Sequence, residues 1–205
     1  MGTVIAFEAD GGVAIAGDTR TTAGGTVTGE VQRVFDLEEV GAGAAGDSGS
    51  VQAFGRGLDA ALRERAFERD GPLGPDELAR AAAEVAEDVG VEAVVATRDA
   101  DGVARVRRVG PDGSVLEGPV VALGSGAGMA LGQLEAMSLD VDAGALEATA
   151  RDVLETVAAR DAETGEDVDV WTLASEPDHD DAVADGPDAD EDPDADAGPG
   201  ETTRD

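Results

Sequence analysis

Short apolar runs broken by glycine and aspartate open the chain, and a longer spacing of apolar residues then replaces them. Thr3–Phe7 and Val13–Ala16 are rich in β-formers. The Asp-Gly pair within Glu8-Ala9-Asp10-Gly11-Gly12 signals a hairpin between them. Thr26–Val27 and Val31–Leu37 continue in this style, and Gly41–Gly46 reads as a strand of small residues ending at Asp47. Phe54, Leu58, Leu62 and Phe67 then recur at near-helical spacing. They predict a helix over about Val51–Arg69, capped by Ser48 or Ser50 and stopped at Gly71-Pro72. Pro75-Asp76-Glu77 opens a second helix that runs to about Val89 and closes at Gly90.

The β pattern returns at Val91–Arg98 and Val103–Val109, joined by Asp101-Gly102, then at Val115–Leu116 and Val120–Leu123. A helix is expected after Gly126, a longer one over about Ala143–Asp161, and a last strand over Asp167–Ala174. Strands, two helices, strands, two helices and a strand suit an α+β fold of two packed sheets with helix pairs outside. The pattern alone fits another α+β sandwich equally well. Residues 1–174 are of a size for one domain. From 175 to 205 the chain is Asp, Pro, Ala and Gly with almost no large apolar residue, so an acidic disordered tail is expected.

Charge changes the picture. The chain carries 46 acidic residues against 14 basic ones, a formal net charge of −32 over 205 residues, and every basic residue is arginine. At ordinary ionic strength such a surface repels itself. At molar salt the Debye length falls to about 3 Å and the repulsion is screened. The acids are spread through the folded part as well as the tail, which points to the cytoplasm of a salt-in halophile. Nucleic-acid binding through phosphate contacts is not expected, for want of a basic patch. Without cysteine, and with His179 alone in the acidic tail, thiolate chemistry, histidine bases and multi-histidine metal sites are excluded and no cofactor is expected. No stretch is long or apolar enough to span a membrane, so no membrane partner is expected.

Four short segments, in order, resemble the proteasome β-subunit family and its bacterial two-ring relative. Ala16-Gly17-Asp18-Thr19-Arg20-Thr21-Thr22 is similar to the family's second strand and turn beside the active site. Gly43-Ala44-Ala45-Gly46-Asp47 resembles the turn before the first helix, and Leu123-Gly124-Ser125-Gly126-Ala127-Gly128 the Gly-Ser-Gly turn before the third. Arg160-Asp161-Ala162-Glu163-Thr164-Gly165 followed by Val168-Asp169-Val170 resembles the Arg-Asp-x-x-Ser-Gly turn into a late strand. The resemblance covers about residues 2–174. It implies the four-layer αββα fold of N-terminal-nucleophile hydrolases, assembly into rings, as a homo-oligomer or with other proteasome-type subunits, and hydrolysis of polypeptide inside a chamber.

The family's reaction uses an N-terminal threonine whose hydroxyl attacks while its own α-amine takes the proton. The resemblance assigns Asp18 to the acidic partner, Gly43 to the oxyanion-hole glycine and Ser125 to the serine near the nucleophile. Asp161 and Thr164 fall on the pair that orients the terminal amine, and Arg33 on the lysine. Arginine keeps the charge but does not give up a proton. Counting back from Asp18 without a gap puts Gly2 at the nucleophile position, where there is no side chain. Cleavage of the Gly2-Thr3 bond would instead expose Thr3, at the cost of a one-residue deletion in the first hairpin. Three readings stay open: a weak or silent ring subunit, an active threonine hydrolase using Thr3, and an inactive scaffold holding a small anion beside Arg33 and Arg20.

Overall fold

The computed structural model describes residues 1–68 and 71–177, with the backbone alone at 67 and 68. The expected acidic tail lies outside these residues from 178 on, as does the expected end of the first helix at Arg69. β1 (Thr3–Ala9) and β2 (Gly12–Asp18) form the predicted hairpin. With β10 (Val120–Gly124) and β11 (Val168–Ala174) they make an antiparallel sheet in the order β10-β1-β2-β11. The second sheet, β5-β6-β7-β8-β9, joins β5 (Val34–Leu37), β6 (Val40–Ala45), β7 (Glu92–Arg98), β8 (Ala104–Val109) and β9 (Val115–Glu117). β3 (Arg20–Ala23) and β4 (Thr26–Glu30) form a separate hairpin.

Both large sheets are covered on both faces, so their central strands are continuously apolar rather than alternating. Val4, Ala6, Val13 and Ile15 face the second sheet, where they meet Val34, Val94, Ala96 and Val106. Ile5, Phe7, Ala14 and Ala16 face α3 (Ala127–Ala136) and α4 (Leu146–Ala158) through Leu134, Leu146, Leu154 and Val157. α1 (Ser48–Glu68) and α2 (Pro75–Val89) cover the far side of the second sheet with Phe54, Leu58, Leu78 and Ala82 against Ala42, Ala44, Ala93 and Val95. The layers are therefore αββα.

α2 starts and stops as its sequence predicts. Pro75 occupies its first turn, the Gly74 N–H reaches Glu77 Oε2 at 3.4 Å, and Gly90 closes it at φ 70°. Three expectations shift. α1 begins at Ser48, three residues early, with Val51 N–H donating to the Asp47 carbonyl at 2.9 Å, so Ser50 lies inside the first turn. Val31–Leu37 is not one strand, because Val31 N–H donates to Thr19 O at 2.7 Å and Arg33 turns inward before β5 begins. The long C-terminal helix opens as a 3₁₀ turn over Ala143–Ala145, capped by Asp142 Oδ1, before α4. Among the described residues no helix is long and apolar enough to cross a membrane.

The sheets pack closely because small residues face large ones across them. A Cβ at Gly41 would run into the ring of Trp171, the chain's one tryptophan. Gly41→Ala is expected to cost about 1–3 kcal/mol through overpacking, and to change Trp171 emission. Gly49→Ala, on an open face of α1, is expected to leave stability unchanged or slightly raised. Denaturant unfolding followed by Trp171 fluorescence checks both.

Candidate active site

Side chains alternate across a strand, so the start of β1 sends neighbouring residues to opposite layers. Gly2 shares the inter-sheet side with Val4, and a Cβ there would meet Asp18 Oδ1 and lie 2.6 Å from Arg33 Nε. Thr3 points the other way, fully buried, towards the α3–α4 layer. Its Oγ1 accepts from Gly126 N–H at 2.9 Å and lies 2.7 Å from Thr164 Oγ1.

Asp18, at the end of β2, is fully buried, and Arg33 is only 1% exposed. Three amides point at the Asp18 carboxylate: Thr3 N–H at 2.6 Å on Oδ1, and Gly165 N–H at 2.8 Å and Arg20 N–H at 3.0 Å on Oδ2. Arg33 Nε stands 3.7 Å from Oδ1, an ion pair too long to be a hydrogen bond. Arg33 Nη2 donates to Arg20 O at 2.9 Å, while its Nε and Nη1 have no hydrogen-bond partner. Burial raises the Asp18 pKa above the usual carboxylate value despite the three amides and the arginine. Burial likewise lowers that of Arg33 against the pull of Asp18. Both shifts disfavour the charges, so the pair is held by the surrounding fold.

On the other side of β1, Thr164 donates to Asp161 Oδ2 at 2.6 Å. A hydroxyl has one proton, so Thr164 must accept from Thr3, whose own proton is thereby assigned. Ser125 Oγ lies 2.6 Å from Met1 O and 2.7 Å from Asp161 Oδ2, its proton between two acceptors. Burial pushes Asp161 up, but the bonds from Thr164, Ser125 and Glu163 N–H together hold its carboxyl below the usual range. Arg20 Nη1 pins this turn through Ala162 O at 3.3 Å and Thr164 O at 3.0 Å. Gly124, at φ 87°, brings the next turn against the Gly2 carbonyl, where a Cβ would collide.

Thr3, Asp18, Arg33, Ser125, Asp161 and Thr164 thus gather around the first three residues. Gly43 stands apart. A Cβ on it would meet Val4, Ile15 and Val94 in the inter-sheet core. Ala44 N–H donates to Arg33 O at 3.0 Å, which makes Val34 and Gly43 a non-hydrogen-bonded pair and turns the Gly43 N–H towards β7. Gly165 was not singled out in the sequence as part of the site. Its contribution is a backbone N–H, and its closeness to Arg20 Cβ, 2.8 Å from an added Cβ, appears only in the fold. Among the described residues no three His, Cys, Asp or Glu side chains cluster to hold a metal ion.

Two sheets between two helix pairs, with a buried acid–base pair and a hydroxyl–carboxylate relay at the head of β1, define an N-terminal-nucleophile hydrolase fold. The family model described as proteasome subunit matches residues 1–173. Proteasome subunit beta 1 of Staphylothermus marinus is 33% identical over 187 residues, covering 85% of this chain and 85% of its own length. This chain belongs to the proteasome β-subunit family, which gives it a proteasome-related role in protein degradation.

The lowered Asp161 pKa has a definite sign. Its stabilising effect is present above the unfolded value of about 3.9 and fades as pH falls through the lower folded value. Asp161→Asn is expected to be less stable than the parent at pH 7, with the gap closing below about pH 4. Unfolding curves at low protein concentration across that range check it. A constant gap would mean that the carboxylate's charge is not what anchors Thr164 and Ser125.

Proposed function

We propose that this chain is a ring subunit of a proteasome-type particle with weak or no conventional threonine peptidase activity. The observation that carries this reading is the space in front of Gly2. The residue facing Asp18 and Arg33 has no side chain, and Asp18 Oδ1 together with the Arg33 guanidinium fills the volume a nucleophile's Cβ would need. Arginine in that position also holds its proton at working pH. Ring assembly with copies of itself or related subunits follows the family. A salt-in cytoplasm follows the charge of −32.

One observation favours a second reading, an active hydrolase using Thr3. The Thr3 nitrogen sits 2.6 Å from Asp18 Oδ1, so an α-amine freed there would be met by a carboxylate. The Thr3 hydroxyl already has an N–H donor in Gly126 and a hydroxyl acceptor in Thr164. A small-anion scaffold is less favoured, because Arg20 Nη1 and Arg33 Nη2 are engaged by carbonyls of the protein itself and the unpartnered Arg33 Nε and Nη1 are buried away from solvent.

The test is the intact mass of protein purified from its own cytosol at high salt, beside a short-peptide hydrolysis assay with a threonine-directed covalent inhibitor. The proposal expects no chain beginning at Thr3, no adduct, and hydrolysis at the level of buffer. A mature Thr3 terminus carrying the inhibitor would overturn it in favour of the second reading.

A further inference from the structure

We propose that a slot between the free edges of β5 and β11 docks an extended, basic peptide segment of a partner protein as an added strand. β11 is an outer strand, paired only with β2, and β5 is outer in its own sheet. Thr19 N–H donates to Asp167 O at 3.0 Å, which makes Val168 and Asp18 a non-hydrogen-bonded pair. The backbone groups of Val168, Val170 and Thr172 therefore point away from β2. By the same rule the bond from Ala44 N–H to Arg33 O turns those of Val34 and Asp36 away from β6.

The outward groups of Val34, Asp36, Val168 and Val170 face one cavity. It measures about 650 Å³, within the span usual for ligand clefts, and its lining includes Val34, Asp36, Val168 and Val170. Two of the free carbonyls are already used: Gln32 Nε2 donates to Val34 O at 3.0 Å and Arg151 Nη1 to Val168 O at 2.8 Å. Among the described residues β5 and β11 form no ladder with one another, but their Cα atoms approach within 8 Å. A strand added here therefore pairs with the free β11 groups and lies against β5 rather than bonding both edges along its length. Backbone pairing would hold such a segment and alternate side-chain pockets would select it.

Charge selects the occupant. Glu30, Asp36 and Asp169 line the slot, while its one cation, Arg151, is spent on Glu147 at 2.9 Å and on Val168 O. The apolar part is Val31, Val34 and Trp171. A segment alternating basic and apolar residues matches both features. A second copy of this chain, or its own acidic tail, brings further negative charge to an acidic slot. Arg33 does not line the slot, so the docking proposed here does not depend on peptidase activity.

Trp171, the chain's only tryptophan, reports the slot directly. The full chain is titrated with an acetylated, amidated octapeptide of alternating Lys and Val, at the lowest KCl concentration at which circular dichroism shows it folded. Controls are the Glu–Val counterpart and the Lys–Val peptide N-methylated at every second amide. The expected result is a saturable change in Trp171 emission with the Lys–Val peptide alone. Val170→Pro removes an edge donor whose N–H serves no ladder bond but also trims packing on the α3–α4 core, so circular dichroism first establishes that it folds. It is expected to weaken binding about tenfold. Asp36→Asn and Asp169→Asn are each expected to weaken it about two- to fivefold. The proposal is overturned by no saturable change, by an equal response to either control peptide, or by full binding in a folded Val170→Pro. An oligomer of the parent that Val170→Pro dissociates would also overturn it, assigning the slot to a second copy.

Discussion

The structure turns on Asp18 and Arg33, the two charged residues buried among those described. A buried ion pair gains less from its own attraction than it loses in desolvation unless further hydrogen bonds complete it. Here the completion is lopsided. Asp18 collects three backbone amides from three parts of the chain, at Thr3, Arg20 and Gly165. Arg33 makes one hydrogen bond, to Arg20 O, and leaves two nitrogens without a partner. The carboxylate therefore organises the site, tying the head of β1, the turn after β2 and the turn before β11 to one point. The guanidinium mainly fills space, and the space it fills lies over Gly2.

That arrangement separates two functions that a threonine at the head of β1 would combine. The side facing the ion pair has no hydroxyl. The side with a hydroxyl, Thr3, carries a relay through Thr164 to Asp161 that is complete within the protein. Such a relay locks the first strand to the α3–α4 layer whether or not any reaction occurs. A thin core of alanine, valine and glycine allows the approach, since across the sheets Gly17 faces Arg33 and Val34, and Gly43 faces Val4. The same closeness makes the first residues sensitive to any added carbon.

Much of the scaffold was legible because its signals are local. Asp-Gly at the β1–β2 turn, Pro75-Asp76-Glu77 with Gly90, and the spacing of Phe54, Leu58 and Leu62 each fix an element through nearby residues alone. Arg33 was legible as a site residue but not as a break in the strand, because the break comes from Thr19 and Asp18, far away in sequence. The division of Gly2 and Thr3 between opposite layers follows from strand alternation once the register with Gly124 and Gly17 is known. The backbone donors at Gly165 and Gly126 carry no side-chain signature and emerged only with the fold.

The central claim, that Asp18 and Arg33 occupy the place a nucleophile at Gly2 would need, is tested most directly by a stability cycle. Gly2→Ala is made in the parent and in an Asp18→Ala/Arg33→Leu background, where neither the Asp18 oxygen nor the guanidinium remains over Gly2, and all four chains are unfolded in denaturant at the same salt. The account predicts that Gly2→Ala costs about 1–3 kcal/mol in the parent and far less in the background, where both the carboxylate oxygen and the guanidinium are gone. A cost within about 0.5 kcal/mol of zero in the parent, or an equal cost in both, would contradict it.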